Sequence, residues 1–230
     1  MSSKELVITI DGPAGSGKST VAALLAATLG YAHVSTGDIY RAVAWLTLQT
    51  GVEPQEEEGV LELIRRATLE FRLVQGKAQI FISGENISTR LRSEEVGRTA
   101  SILSAHPRVR EALLPAQRQT AEWGSVVVDG RDAGTVIFPD AEVRFFLDAS
   151  PQERARRRYL ELKDRTEGLD LSQVLEDLHR RDLRDSRRSA APLQVPQNAV
   201  VVDSSGLTPE EVVARMVEVV CAHRLARRCG

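Results

Sequence analysis

The chain of 230 residues is long enough for one sizeable core with an insertion, since a domain typically takes about 100 to 200 residues. Hydrophobic residues make up 42% and charged residues 27% of the sequence, an ordinary globular composition that excludes disordered and fibrous classes. A formal net charge of -2 argues against a protein whose main partner is duplex nucleic acid, since such proteins are usually strongly basic. Any basic patch must therefore be local.

The start of the chain, MSSKELVITIDG, has one Lys and an apolar run too short for a signal peptide, and no stretch approaches the roughly 18 apolar residues of a membrane span. We therefore expect a cytoplasmic protein. The two cysteines, Cys221 and Cys229, would lie about 12 Å apart on one helix, beyond disulfide reach, so we expect two reduced thiols. The four histidines lack a paired metal-ligand spacing, and we expect no zinc.

Short β-branched runs alternate with amphipathic stretches along most of the chain. The runs predict strands, apolar on both faces, at 6–11, 32–35, 125–129, 143–148 and 199–203. The stretches predict helices at 18–29, 37–50, 56–67, 93–104, 107–121, 151–163, 172–188 and 209–227. This alternation predicts an α/β fold with a five-stranded parallel sheet covered by helices.

The stretch LEFRLVQGKAQIFISGENIS (69–88) breaks this rhythm, because apolar and polar residues alternate around two turn signals. It predicts a small antiparallel β insertion carried by the main domain. Helix boundaries are well marked elsewhere: Thr208 to Glu211 predicts a capping box, and Gly30, Gly51 and Gly124 lie where helices should end.

The segment GPAGSGKST fits the P-loop pattern G-x-x-x-x-G-K-[ST], and it follows a predicted strand and opens a predicted helix. Backbone amides of such a loop wrap phosphates, and the helix N-terminus adds positive potential. Lys18 would neutralise the β and γ phosphates of ATP, and Ser19 would bind Mg²⁺. Asp129 is a candidate to support that metal, or it is only a turn residue at a strand end. The predicted ATP-binding residues are Gly12, Pro13, Ala14, Gly15, Ser16, Gly17, Lys18, Ser19 and Thr20.

A P-loop leaves the phosphoryl acceptor open among GTPases, ATP-driven machines and small-molecule kinases. Arginines that the fold could bring together suggest a second phosphorylated ligand, because guanidinium groups bind phosphate oxygens bidentately. They are Arg41, Arg110, Arg131, Arg181 and Arg188.

The segment RRDLRDSRRSAAPL (180–193) is by itself most simply a solvated helix face. Arg181, Asp185 and Arg188 nevertheless share one face, and the arginines Arg154, Arg157 and Arg158 share another. Arginine prevails over lysine in both segments, which favours phosphate binding. We expect the other three arginines of the segment to be solvated surface residues: Arg180, Arg184 and Arg187.

Six motifs together resemble the bacterial cytidylate kinases, a family of P-loop nucleoside monophosphate kinases, over residues 6 to about 205. They are GPAGSGKST, STGDIYRA, PRVREALL, GRDAGTVIFPDA, RRRYLEL and RDLRDSRRSAAPL. The resemblance implies a P-loop kinase fold, with a core over 1–55, 107–153 and 167–230. It also implies an insertion that binds the nucleoside monophosphate at about 56–106 and a short Arg-rich lid at about 154–166.

By position, the resemblance implies that Arg41 and Arg131 bind the CMP phosphate and that Arg157 closes over ATP; with Lys18 these three are the expected catalytic residues. Thr36, Ser101, Arg110, Asp132, Arg181, Asp185 and Arg188 would complete the CMP site, with Ser101, Arg110, Asp132 and Arg188 around the cytosine and Arg181 and Asp185 at the ribose hydroxyls. The Asp132 carboxylate can accept a hydrogen bond from the 4-amino group of cytosine. Uracil would place a carbonyl there, which is another acceptor and cannot pair with the carboxylate.

The chain departs from the usual family pattern at Ser35 and Asp38, where an aspartate and a small residue are usual. We expect Ser35-x-x-Asp38 to act as a capping-box-like start of helix 37–50.

The implied reaction moves the γ-phosphoryl group of Mg-ATP to CMP or dCMP and needs no strong general base, since a phosphate monoester is mostly deprotonated at neutral pH. A kinase for another nucleoside monophosphate is the nearest rival. A P-loop switch or a nucleic-acid-dependent ATPase is the rival from another class, but the guanine-reading N-K-x-D stretch of a switch is absent. We expect neither nucleic acid nor membrane as a partner, and a monomer.

Overall fold

A computed structural model describes residues 5–163 and 168–229, and a mostly parallel β-sheet forms its centre. The strands are β1 (Val7–Asp11), β2 (Ala32–Ser35), β3 (Leu69–Val74), β4 (Lys77–Ile82), β5 (Glu85–Asn86), β6 (Val126–Gly130), β7 (Val143–Asp148) and β8 (Val200–Asp203). The helices are α1 (Lys18–Leu29), α2 (Gly37–Thr50), α3 (Glu57–Arg66), α4 (Glu94–Leu103), α5 (Pro107–Gln119), α6 (Pro151–Leu162), α7 (Leu171–Arg187) and α8 (Pro209–Cys229).

Five neighbouring strands run parallel in the order β2-β6-β1-β7-β8. The predicted α/β class is confirmed, and these are the five strands that the β-branched runs predict. The described sheet nevertheless has eight strands, because the antiparallel hairpin β3–β4 and the short β5 extend it. β4 joins β2 in parallel at one position, His33 opposite Lys77, so the inserted strands continue the core sheet.

Apolar side chains fill both sides of this sheet. Ile8, Ile10, Phe145 and Leu147 of the central strands are fully buried against α1 and α8. A second cluster packs α2 to α5 onto the inserted strand β4, with Ile80 and Leu103 at its centre. Truncating a buried side chain of this size to Ala typically costs about 2 to 5 kcal/mol of stability. The second cluster therefore packs the inserted segment against α2 and α5 of the core.

The prediction of burial on both faces is wrong for β8. Val200 and Val201 are 39% and 59% exposed, because β8 is the edge strand of the sheet. The β6 run is buried throughout, as predicted, because β6 lies between β1 and β2.

The marked helix boundaries are confirmed. The Thr208 hydroxyl accepts the Glu211 N–H at 3.2 Å, and the Glu211 carboxylate accepts the Thr208 N–H at 2.8 Å, which completes the capping box. Gly30 and Gly51 end α1 and α2 in the left-handed conformation. α5 ends at Gln119, a 3₁₀ turn follows, and Gly124 ends that turn.

Cys221 is a free, exposed thiol. Within residues 5–163 and 168–229, no helix combines the length and the apolar character needed to cross a membrane.

Candidate active site

One cleft of about 570 Å³ opens where β1, β2 and β6 end, beside the start of α1. Ligands of open α/β sheets bind at this carboxyl edge. Most residues predicted for ATP, metal and acceptor line this single cleft: Ala14, Gly15, Gly17, Lys18, Ser19, Thr20, Thr36, Arg41, Ser101, Arg110, Asp129, Arg131, Asp132, Arg181, Asp185 and Arg188. Gly12, Pro13, Ser16 and Arg157 lie outside this lining.

The P-loop, residues 12–20, connects β1 to α1 and has little space for side chains. A Cβ at Gly12 would lie 2.0 Å from the Leu147 carbonyl oxygen of the neighbouring strand β7, so only glycine fits there. Gly17 takes the left-handed conformation with φ +89° and turns the chain into α1. The loop therefore places the first residues of α1, whose N–H groups have no partner within the helix, at the cleft.

Lys18 is buried at the floor of the P-loop. Its ammonium group donates to the Pro13 carbonyl and, at 3.3 Å, to the Ser16 hydroxyl. Burial, and next to it the positive charge of Arg131, hold the pKa of Lys18 well below its usual value. An anionic phosphate in the loop would favour the charged form of this lysine.

Asp129 lies one residue before the end of β6, and side chains hold both of its carboxylate oxygens. Oδ1 accepts the Ser19 hydroxyl at 2.8 Å and the Ser35 hydroxyl at 3.4 Å, and Oδ2 is 2.8 Å from His33 Nε2. Burial alone would raise the pKa of Asp129, but the hydrogen bond and charge of His33, the Ser19 bond and Lys18 outweigh it and hold the pKa below its usual value. The sequence analysis did not identify His33. The feature that could have pointed to it is its position two residues before Ser35 on β2, which places both side chains on one face of the strand.

The start of α2 corrects one prediction. α2 has Thr36 at its N-cap with no side-chain cap, and Ser35 bonds Asp129 instead, so the capping-box interpretation of Ser35 and Asp38 is wrong. The Asp38 carboxylate accepts Arg41 at 2.8 Å and Arg92 at 2.9 Å. Asp38 thus links the predicted phosphate ligand Arg41 to the inserted segment.

At the far end of the cleft, the buried Asp132 lies between two arginines. Its Oδ2 accepts Arg110, and its Oδ1 is 3.7 Å from Arg188. The Arg110 guanidinium also lies 5.3 Å from the ring centroid of Tyr40, and burial raises the pKa of Tyr40 to about 12. Tyr40 is a further lining residue that sequence reasoning did not single out.

Between Asp132 and the P-loop, Arg131 donates to the buried Asp185 at 2.9 Å. Burial would raise the pKa of Asp185, but the charges of Arg131 and Arg188 hold it below its usual value. Two buried guanidinium nitrogens in this part of the cleft, Arg181 Nε and Arg188 Nη2, have no hydrogen-bond partner among the described residues. Buried, unsatisfied donors of this kind fit an anionic or acceptor-rich ligand.

Comparison with known proteins agrees with this geometry. The sequence matches the cytidylate kinase family over residues 8–222. The chain belongs to the cytidylate kinase family. It is 45% identical to a cytidylate kinase of Pseudomonas entomophila over 94% of this chain and 96% of the relative, and 41% identical to one of Caldicellulosiruptor bescii over 94% and 95%.

The family, and with it the nucleoside monophosphate kinase class of phosphotransferases, confirms the resemblance that the six motifs carry. Among solved structures, an uncharacterized protein from Eubacterium ventriosum has a TM-score of 0.50 and 13% identity over 94% of this chain and 98% of that one. At this identity it shows a shared fold only.

The kinase positions its Arg131–Asp132 segment with a residue that sequence reasoning missed. Asp11, at the end of β1, accepts the N–H groups of Ala133 and Gly134, both at 2.7 Å, and so fixes the π-helical turn over Ala133–Ile137. Burial raises the pKa of Asp11 to about 6, although the two hydrogen bonds from Gly134 and Ala133 act to lower it. A polar residue at the end of an apolar strand, in VITID, was the available signal.

The arginines of α6 have unequal roles in the kinase. Arg154 is buried and donates to the Ala14 carbonyl at 3.0 Å and to Asp182, so it supports the P-loop backbone and does not face open cleft. Arg157 donates to the Ser16 carbonyl at 3.2 Å and to Ser204, directly behind the P-loop. The predicted lid residues 164–166 lie outside the described residues.

Arg184 is exposed, as the solvated interpretation predicts, but it also makes one contact that the sequence does not predict. Its guanidinium donates to the Ser101 hydroxyl at 2.6 Å, across the cleft from α7 to α4. Arg180 and Arg187 are also exposed, as predicted, and within residues 5–163 and 168–229 Arg180 pairs with the neighbouring acids Glu176 and Asp177. Arg158 makes a second cross-cleft contact, an ion pair with Glu94 of α4.

Proposed function

We propose that this kinase transfers the γ-phosphoryl group of ATP to the 5'-phosphate of CMP or dCMP, giving ADP and CDP or dCDP, in pyrimidine nucleotide metabolism in the cytoplasm. One observation supports this most: a P-loop and a buried, arginine-flanked carboxylate line the same cleft. The P-loop is suited to a nucleoside triphosphate, and Asp132 is suited to the amino group of a cytosine.

The donor side consists of the P-loop with Lys18 and Arg157. Backbone N–H groups would hold the ATP phosphates, and Lys18 would neutralise charge on the transferred group. Arg157, behind Gly17 and Ser16, would need to turn from its backbone partners to reach ATP.

Ser19 and Asp129 would hold Mg²⁺ together with the ATP phosphates. Their oxygens lie 2.8 Å apart at the mouth of the P-loop, and oxygen donors of this kind suit Mg²⁺, which usually takes one or two carboxylates plus phosphate. When bound, the ion would supply positive charge to the phosphate oxygens. Within the described part of the chain no group of three His, Cys, Asp or Glu residues could bind a metal unaided, so the site depends on the nucleotide.

The acceptor side would bind CMP through three groups of residues. Arg41 and Arg131 would hold its phosphate, with Thr36 beside them, and Arg181 and Asp185 the ribose. Ser101, Arg110, Asp132 and Arg188 would surround the cytosine. Since the attacking phosphate oxygen is already mostly ionised at neutral pH, these residues act by alignment and charge neutralisation and remove no proton.

The same assignment divides the chain into parts. The core, 1–55, 107–153 and 167–230, would carry ATP; the insertion, about 56–106, would close over CMP; the segment 154–166 would close over ATP and exclude water. We propose that the enzyme works as a monomer.

Initial rates with CMP, dCMP, UMP and AMP test the proposal. We expect CMP and dCMP to be the best acceptors, with UMP disfavoured because its carbonyl would face the Asp132 carboxylate. D132N should lower kcat/KM for CMP and narrow the preference for CMP over UMP, since an amide can donate to the uracil carbonyl. D140N, at an exposed aspartate of the same segment, is the matched control. Preference for AMP, or an unchanged CMP-to-UMP ratio in D132N, would overturn the assignment.

A further inference from the structure

His33 lies beside the phosphoryl-transfer chemistry although no sequence motif includes it. It is on β2, and its backbone N–H reaches the turn of the β3–β4 hairpin by donating to the Gly76 carbonyl at 3.4 Å. Because side chains alternate along a strand, His33 and Ser35 share one face of β2. In the register of β2 with β6, Ser35 is opposite Asp129 and His33 is opposite Val127, so both side chains flank the Asp129 carboxylate.

The contact between His33 and Asp129 is well defined. Nε2 of His33 is 2.8 Å from Oδ2 of Asp129, and the two side chains are only 17% and 5% exposed. An ionised carboxylate can only accept hydrogen bonds, so Nε2 carries the hydrogen and donates it. The other oxygen, Oδ1, accepts the hydroxyls of Ser19 and Ser35.

Donors on both oxygens fix the rotation of the Asp129 carboxylate about its Cβ–Cγ bond. Without the imidazole, Oδ2 would be buried with no partner in the described residues, and the carboxylate could turn toward Ser35 or Lys18. Oδ1 would then leave its position 2.8 Å from the Ser19 hydroxyl. That position is the one at which the two oxygens can serve the same cation.

We propose that His33 is a positioning residue that holds the Asp129 carboxylate for Mg²⁺ at the P-loop. This inference rests on the proposed function of Ser19 and Asp129. His33 does not touch the reacting atoms; it acts through Asp129, as second-layer hydrogen-bond partners orient metal ligands in other enzymes.

Mn²⁺ binding to the full-length kinase in the presence of ADP, followed by electron paramagnetic resonance, tests this directly. H33L removes the donor and should weaken Mn²⁺ binding by about tenfold, while H33Q, whose amide nitrogen can occupy the position of Nε2, should stay within about threefold of the native affinity. In turnover, H33L should raise the Mg²⁺ concentration for half-maximal rate and leave the KM for CMP unchanged.

The control is H106Q, because His106 also makes a 2.8 Å hydrogen bond through Nε2, but to the Pro54 carbonyl, away from the P-loop. It should bind Mn²⁺ like the native kinase. Native Mn²⁺ affinity in H33L, or equal weakening in H33Q and H33L, would overturn the role of His33. If H33L does not fold by thermal unfolding, H33N takes its place, because its shorter amide ends near Nδ1 and cannot reach Asp129.

D129N separates this inference from the proposed metal site. If D129N binds Mn²⁺ with ADP as tightly as the native kinase, the metal assignment of Asp129 fails. If D129N binds Mn²⁺ more weakly than the native kinase and H33L does not, the metal assignment stands and only the role of His33 is rejected.

Discussion

The two halves of the cleft are built in opposite ways. Most of the proposed donor half is one contiguous stretch, residues 12–20, whose backbone groups and helix start are placed by local geometry. The acceptor half gathers side chains from α2, α4, α5, α7 and the segment after β6, and buried ion pairs such as Arg131 with Asp185 hold them. Replacing the Lys18 side chain in the donor half should therefore act through chemistry alone, whereas replacing the ion-paired side chains of the acceptor half should act through both chemistry and structure.

The largest effect is expected at Lys18. K18M should lower kcat by about 10²- to 10³-fold, because a preorganised cation at the transferred phosphate is lost. The fold should be at least as stable, since burial already disfavours the charged form of this lysine. Steady-state kinetics with thermal unfolding measure both, and K77M at the exposed start of β4 is the control. A kcat within threefold of the native value would remove Lys18 from the reaction.

The next effect is expected at Arg131. R131A should cost roughly 1.5 to 3 kcal/mol in kcat/KM for CMP and should also lower stability, because Asp185 loses its closest partner. R131K should recover little activity, since an ammonium group cannot match the guanidinium fork. R144A, at a half-buried arginine of β7 that donates to the Ala141 carbonyl, is the control. An R131A enzyme with both native stability and native kcat/KM would contradict the view that the acceptor half depends on its buried ion pairs for both chemistry and structure.

Asp11 tests whether the acceptor half depends on a structural support. D11N replaces one accepting oxygen with a donor against the Ala133 or Gly134 N–H, so the segment with Arg131 and Asp132 should shift and kcat/KM for CMP should fall by about tenfold. Native kcat/KM in a folded D11N enzyme would show that this anchor has no part in catalysis.

The raised pKa of Asp11 also predicts how the stability of the kinase changes with pH. Its pKa is raised from 3.8 to about 6, so its contribution to stability is fully present below pH 3.8 and is lost as the pH rises through 6. The free energy of unfolding of the native kinase, measured relative to D11N, should fall by roughly 3 kcal/mol over this range. A pH-independent difference between the two proteins would contradict it.

The smallest effect is expected at Arg184. R184A should raise the KM for CMP by about two- to tenfold, because it removes one hydrogen bond to Ser101 without changing the bonds of Asp132. Arg180 is an exposed arginine on the same helix that pairs with neighbouring acids, and R180A should leave the KM for CMP unchanged. Equal KM values for R184A and R180A would show that the Ser101 contact carries no binding energy.

Local sequence was sufficient for most of the donor half and for the main elements. The P-loop pattern, the helix it opens and the apolar run of β6 each depend on neighbouring residues, and the structure has them where the sequence predicts. Local sequence could not predict which strand lies at the edge of the sheet. The apolar run of β8 has the same pattern as that of β6, yet Val201 is exposed to solvent.

The acceptor half was reached mainly through resemblance to a family, and its supports were missed. Asp11, His33 and Arg184 contact residues 122, 96 and 83 positions away, and no periodic pattern reports such partners. Asp38 shows the same limit, since its position at a helix start suggests a cap while its partners are Arg41 and Arg92.

The sequence by itself determined the α/β class, the phosphate-binding loop and, through six motifs, the cytidylate kinase family. Tertiary structure alone decided which charged residues face the cleft and which support it. Arg154 and Arg157 are one helical turn apart, yet only the former is buried under Ala14. The physical reason is that helix and turn formation depend on adjacent residues, whereas the partner of a buried charge depends on how distant elements pack.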